Sequence, residues 1–127
     1  MKATPRRSVG PTQRLATGVG WVSLVLGVAI TLYPRGSANL LGWADRGALS
    51  RLVGAADLVL GAGLLLGRRR AGWMLARALL NAAICLVYLR VLTQGRARAG
   101  GAGAGLMAAL TAFDYSLSRR LRGAEKA

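Results

Sequence analysis

The chain alternates between clusters of cations and long stretches without charge, and the lengths of those stretches set the first expectation. Leu15 to Pro34 runs 20 residues without a charged side chain. Leu52 to Gly67 runs 16 residues with only Asp57, and extends to Leu49 when Arg51 snorkels. Ala71 to Leu89 contains only Arg77, and Ala99 to Ser118 only Asp114. An α-helix crosses the hydrocarbon core of a bilayer in about 20 residues, so four crossings are expected. Apolar residues surround each stretch instead of forming one stripe, which argues against a soluble bundle. Backbone amides in hydrocarbon must be paired within their own segment, and no alternating pattern suggests a barrel. The predicted fold is therefore an all-α, four-helix transmembrane up-and-down bundle. Its helices cover about 15–34, 49–67, 71–92 and 99–118, making a domain 15–118 between basic tails at 1–14 and 119–127.

The connections are short except the first. Arg35 to Ser50 holds Trp43, Asp45 and Arg46 among apolar residues, and reads equally as a short interfacial helix or an extended loop. Lys2, Arg6, Arg7 and Arg14 precede the first apolar stretch as they would in a secretory signal. That stretch exceeds the usual apolar region of about 7 to 15 residues, so it is expected to stay as a span. Lys and Arg on the two sides of an even number of spans give the orientation. The N-terminal tail, Arg68, Arg69 and Arg70, and the C-terminal tail together carry 11, against six in the other two connections. The excess favours a multi-pass protein of the cytoplasmic (inner) membrane with both termini in the cytoplasm.

Composition narrows the chemistry. In 127 residues 54% are hydrophobic and the net charge is +14, while the mean hydropathy is +0.40, so charge and apolar length are segregated. No His and a single Cys exclude a His or Cys metal centre, a disulfide framework and any His-dependent triad. No cofactor is expected, and no nucleophile has a base beside it. The glycine clusters do not fit GxGxxG and no GK[ST] follows them. The cations are spread over tails and loops instead of one stripe, which disfavours nucleic acid. They fit anionic lipid headgroups, with Arg68, Arg69, Arg70, Arg119, Arg120 and Arg122 as the inner-leaflet contacts. Tyr33, Tyr88 and Tyr115 fall near span ends, where aromatic residues anchor at the interface, and Trp73 beside the Arg triplet reads the same way.

Three ionisable residues lie at bilayer depth, where each costs about 2.5 to 3.5 kcal/mol on insertion scales unless it finds a partner. Depth arithmetic at about 1.5 Å per residue places Arg77 between Asp57 and Asp114 in height. Asn81, one turn beyond Arg77 on the same face, comes level with Asp57. The expected intramembrane polar cluster is thus Asp57, Arg77, Asn81 and Asp114. It reads as a structural lock on helix rotation, or as a proton or substrate pathway through Asp57. Asp114 has a further option near the interface, meeting Arg119 or Arg120 or hydrating. Gly54, Gly61, Gly63, Gly67, Gly101 and Gly105 are the candidate helix-packing positions, serving either internal contacts or an oligomer. Cys85 reads as a small buried hydrophobe.

The stretch GWVSLVLGVAITLYPRGSANLLGW followed by RLVGAADLVLGAGLLL resembles a pattern in small bacterial four-helix membrane proteins of the DoxX-like kind. Similar segments occur fused to cyclase- or dehydrase-like lipid-binding domains. The positions that carry the resemblance are Gly20, Gly27, Pro34, Arg35, Gly42, Gly54, Asp57 and Gly61, within roughly residues 15 to 90. The resemblance implies an up-and-down bundle of four helices, with some relatives linked to quinone or sulfur redox systems. Where relatives place Arg before the acidic residue this chain has Ala56, which makes Arg77 the partner to test. The expected role is a non-enzymatic structural or interaction subunit, as a homo-oligomer or in a larger membrane complex. The alternatives are a small proton-coupled transporter using Asp57 or a quinone-associated redox-complex subunit. The 16 Arg against 2 Lys fit a GC-rich bacterial genome.

Overall fold

Pro11 opens the first helix, where its missing N–H is one the helix would leave unpaired in any case. A computed structural model of the chain describes residues 9–43, 47–95 and 97–126. Helix α1 covers Pro11–Leu32. Pro34 stops it, because a residue before proline is pushed out of the helical region, and Tyr33 sits at φ −123°, ψ 60°. Pro34 then serves as the first residue of a short helix, α2, Pro34–Leu40. This ends in a paired C-cap: Trp43 N donates to Ala38 O at 2.8 Å and Gly42 N to Asn39 O at 3.1 Å. Such a cap needs a left-handed residue, and Gly42 supplies it at φ 71°. The cap turns Trp43 inward, so the connection that read as either a short helix or a loop begins as a helix and ends in the core. Asp45 and Arg46 lie outside the described residues.

Helix α3 covers Gly47–Leu66, α4 covers Arg70–Thr93 and α5 covers Ala97–Lys126. All five elements are helices, with no strand among the described residues. Three of them, α1, α3 and α4, are long and apolar enough to cross a membrane. At 30 residues α5 is longer than any of these, but its glycines, Asp114 and serines make it more polar. It also continues through 119–126, the stretch expected as a basic tail. Leu117 and Leu121 explain the continuation: they are buried against Ala16, Leu64, Ala71 and Met74.

The helices pack in two tight pairs, α1 with α3 and α4 with α5, each antiparallel. A three-residue connection at Gly67–Arg69 brings α3 and α4 together at the end that holds both Pro11 and Lys126. Apolar clusters fill both ends of the packed interior, the second being Ala38, Trp43, Val53, Ile84 and Tyr88. On α1 what lies inside is small or polar, and what lies outside is large and apolar. The buried residues of α1 are Ala16, Gly20, Ser23 and Gly27. Trp21, Val25 and Leu32 on the same helix are 59%, 65% and 67% exposed. A protein folded in water would place them the other way round. Lipid removes that preference and rewards close backbone approach instead.

Candidate functional site

The α1–α3 contact is made of backbone. Gly20 and Gly27 on one helix and Gly54 and Gly61 on the other are both spaced by seven residues, so each pair returns to the same face after two turns. In the antiparallel arrangement Gly20 meets Gly61 and Gly27 meets Gly54. A methyl group on Gly27 would lie 2.8 Å from Leu58 N and 2.9 Å from Gly54 O. One on Gly61 would lie 2.9 Å from Gly20 O. Only glycine permits that approach. Gly63 and Gly67, also singled out in the sequence, serve another contact: their faces are covered by the Trp73 indole. Trp73 is accordingly half-buried over α3 instead of lying free at the interface.

Helix α4 carries Arg77 and Asn81 one turn apart, so both point toward one neighbour. That neighbour is Asp114 of α5, only 1% exposed. Arg77 Nε donates to Asp114 Oδ2 at 3.0 Å, and Asn81 Nδ2 donates to the same oxygen at 2.6 Å. On its other side Arg77 Nη1 stands 3.6 Å from Asp57 Oδ1 of α3, with no hydrogen-bond partner of its own. One guanidinium thus links three helices. The four residues expected to cluster do so, with the pairing changed: Asn81 bonds Asp114, not Asp57. Asp114 reaches neither Arg119 nor Arg120 nor water, because α5 turns it inward onto α4. Depth alone could not separate these cases, since rotation of a helix about its axis leaves depth unchanged.

Above and below the cluster, polar side chains tie α5 and the first connection to α4. Ser118 Oγ donates to Ala71 O at 2.8 Å, and Ala71 N donates to Glu125 Oε1 at 3.2 Å. Glu125 therefore satisfies a backbone N–H at the start of α4, where a helix has no internal acceptor and favours negative charge. Nothing in a presumed tail marks that role. Cys85 is half-buried, with Sγ 3.4 Å from Ala104 O. Tyr88, expected as an interfacial anchor, is 4% exposed. Its hydroxyl donates to Leu41 O at 2.9 Å and its ring lies 5.8 Å from that of Trp43. The signal that could have found it is Gly103, whose missing side chain makes room for the Tyr88 ring. Tyr33 is exposed at the end of α1, while Tyr115, expected near a span end, is exposed in the interior of α5 because that helix continues to Lys126.

Gly101 and Gly105 have open space beside them among the described residues, so contacts within the chain do not use this GxxxG pair. Gly100 and Gly103 make the close approaches on that helix, to Leu92 and Tyr88. Arg68, Arg69, Arg119, Arg120 and Arg122 are exposed at the end of the molecule that holds Pro11 and Lys126. Arg70 differs. Its Nη1 is 3.3 Å from Thr17 Oγ1 and 3.5 Å from Gln13 O, so it straps α4 to the first turns of α1.

Between the two tight pairs α1 and α5 touch only sparsely, leaving a cleft of about 680 Å³. Its walls are Leu15, Val19 and Val22 on α1 and Leu110 and Phe113 on α5. Arg14 stands at its mouth, and the mutually paired Arg77 and Asp114 form its floor. No family model, curated protein or solved structure matches this chain.

Proposed function

We propose that the chain is a multi-pass protein of the cytoplasmic membrane that acts as a non-enzymatic structural or interaction subunit. In this reading α1, α3, α4 and α5 are its four crossings and both termini are cytoplasmic. The fourth crossing is supported by how α5 lies on α4. Gly103 meets Tyr88, Asp114 meets Arg77, and Glu125 meets Ala71, so α5 accompanies α4 along its length and shares its depth. Asp114 and Ser118, two of the polar side chains that lower the hydropathy of α5, are buried against α4. Orientation rests on the excess of cations at the end bearing the termini.

The observation that carries the structural role is the occupancy of Arg77. Both its acidic neighbours belong to the same chain, one on α3 and one on α5, so its charge is committed to holding helices. Helices in lipid lack a hydrophobic drive toward one another, and a shared cation fixes their rotation. A second reading, a small proton-coupled carrier, draws on Asp57. It is the looser acid, 3.6 Å from Arg77 with its side chain 14% exposed, against 3.0 Å and 1% for Asp114. The Asp57→Asn variant separates the two. The structural role predicts a bundle that unfolds more readily in detergent, with no change in proton-linked flux in proteoliposomes. Intact assembly together with abolished flux would replace it with the carrier.

A further inference from the structure

The cleft between α1 and α5 is a large gap in the packing of the described residues, and a gap facing lipid is filled by something from the membrane. Its volume falls within the about 300–1,000 Å³ of sites that hold small ligands. The chemistry along it is ordered. Arg14 marks the mouth, with Arg70 strapped to Gln13 and Thr17 on the adjacent turns. Beyond them the walls are apolar from Leu15 to Val22, a rise of about 10 Å at 1.5 Å per residue. At the floor Arg77 and Asp114 are 7% and 1% exposed and bonded to each other, so they offer little to a polar group entering from the side. A cation at the interface followed by about 10 Å of apolar wall matches an anionic head with the upper part of an acyl chain.

We infer that this cleft is a specific seat for one anionic phospholipid, its phosphate on Arg14 and one acyl chain between α1 and α5. The seat rests on the membrane reading above. It does not depend on what the polar cluster does. The lipid closes the side of the molecule where the two helix pairs are least joined, and it covers the Arg77–Asp114 pair. Gly18 supplies a probe, because it lines the cleft and a Cβ there would meet nothing within 4 Å. A large residue at Gly18 starts from open space and extends into the cleft.

The test is native mass spectrometry of the detergent-solubilised full chain titrated with phosphatidylglycerol or phosphatidylcholine of equal chain length. One phosphatidylglycerol should bind ahead of all others, preferred over phosphatidylcholine by about fivefold, the effect of one cation's attraction to an anionic lipid. Arg14→Gln should remove most of that preference, while Gly18→Phe should remove the first binding event for both lipids. Circular dichroism and the subunit count of each variant are read alongside. Graded binding without a distinct first lipid, or a first lipid unaffected by Gly18→Phe in a variant of unchanged helicity, would overturn the seat and leave the membrane reading intact. A subunit count reduced by Gly18→Phe would overturn it in favour of a second copy in the cleft. Partitioning of the wild-type chain into the soluble fraction without detergent would instead defeat the membrane reading itself.

Discussion

The two helix pairs of this molecule are held by opposite means. Between α1 and α3, four glycines let the main chains approach until a single methyl would collide with backbone atoms. Between α4 and α5 Gly100 lies close on Leu92 at one end, but the rest of the contact is made by side chains: Arg77 and Asn81 on Asp114, and Ser118 on Ala71. The first depends on shape and fails when volume is added. The second depends on charge and fails when a partner is removed. Arg77 also reaches Asp57, so the polar pair is one of the places where the two halves are joined, whereas the glycine pair closes on itself.

The comparison predicts a ranking of effects. Arg77→Met should be the most damaging substitution, because it leaves two buried acids facing each other without a cation. Losing one partner of a buried ion pair costs about 3–5 kcal/mol. Polar contacts between helices in membranes average only about 0.6 kcal/mol, but that figure describes neutral hydrogen bonds, and the uncompensated charge dominates here. Reversible unfolding in mixed micelles measures it. A loss under about 1 kcal/mol would mean that the cluster does not join the halves.

Gly27→Val comes next. Its side chain meets Leu58 N and Gly54 O, which cannot rotate aside, so α1 and α3 must separate at a cost of about 1–3 kcal/mol. The same assay, with crosslinking between cysteines placed on α1 and α3, checks both the cost and its location. An unchanged crosslinking yield would show that the glycines are not in contact in the membrane.

Gly101→Ala and Gly105→Ala should have the smallest effect and the opposite sign. Open space beside both positions leaves only the better helix propensity of alanine, a gain of about 0.5–1 kcal/mol. If either variant loses stability, or changes the subunit count in detergent, these glycines face a second copy of the chain.

Much of this was legible in the residue order. Charge-free lengths located α1, α3 and α4 within a few residues, and the depths of Asp57, Arg77 and Asp114 placed the cation between the two acids. The boundaries went astray where proline and helix propensity decide: Pro11 starts α1 earlier, Pro34 ends it and begins α2, and the basic residues after Ser118 continue α5. Partner choice went astray for Asn81 and Asp114, since sequence spacing gives height along a helix but not the angle at which neighbouring helices face each other. GxxxG spacing pointed to Gly63 and Gly67 and to Gly101 and Gly105, while the α1–α3 contact uses glycines seven apart. The motif records only that a helix has a small face, and what covers that face depends on the neighbour.

Hydropathy and charge order determined by themselves that the chain is helical and that its apolar stretches suit lipid, because the cost of an unpaired amide or a bare charge in hydrocarbon is local to each segment. Only the packed structure decided which acid takes the guanidinium, that Tyr88 and Trp43 turn inward, and that α1 and α5 stand apart. Those outcomes depend on rotation and separation of whole helices, which are set jointly by every contact they make and written in no single segment.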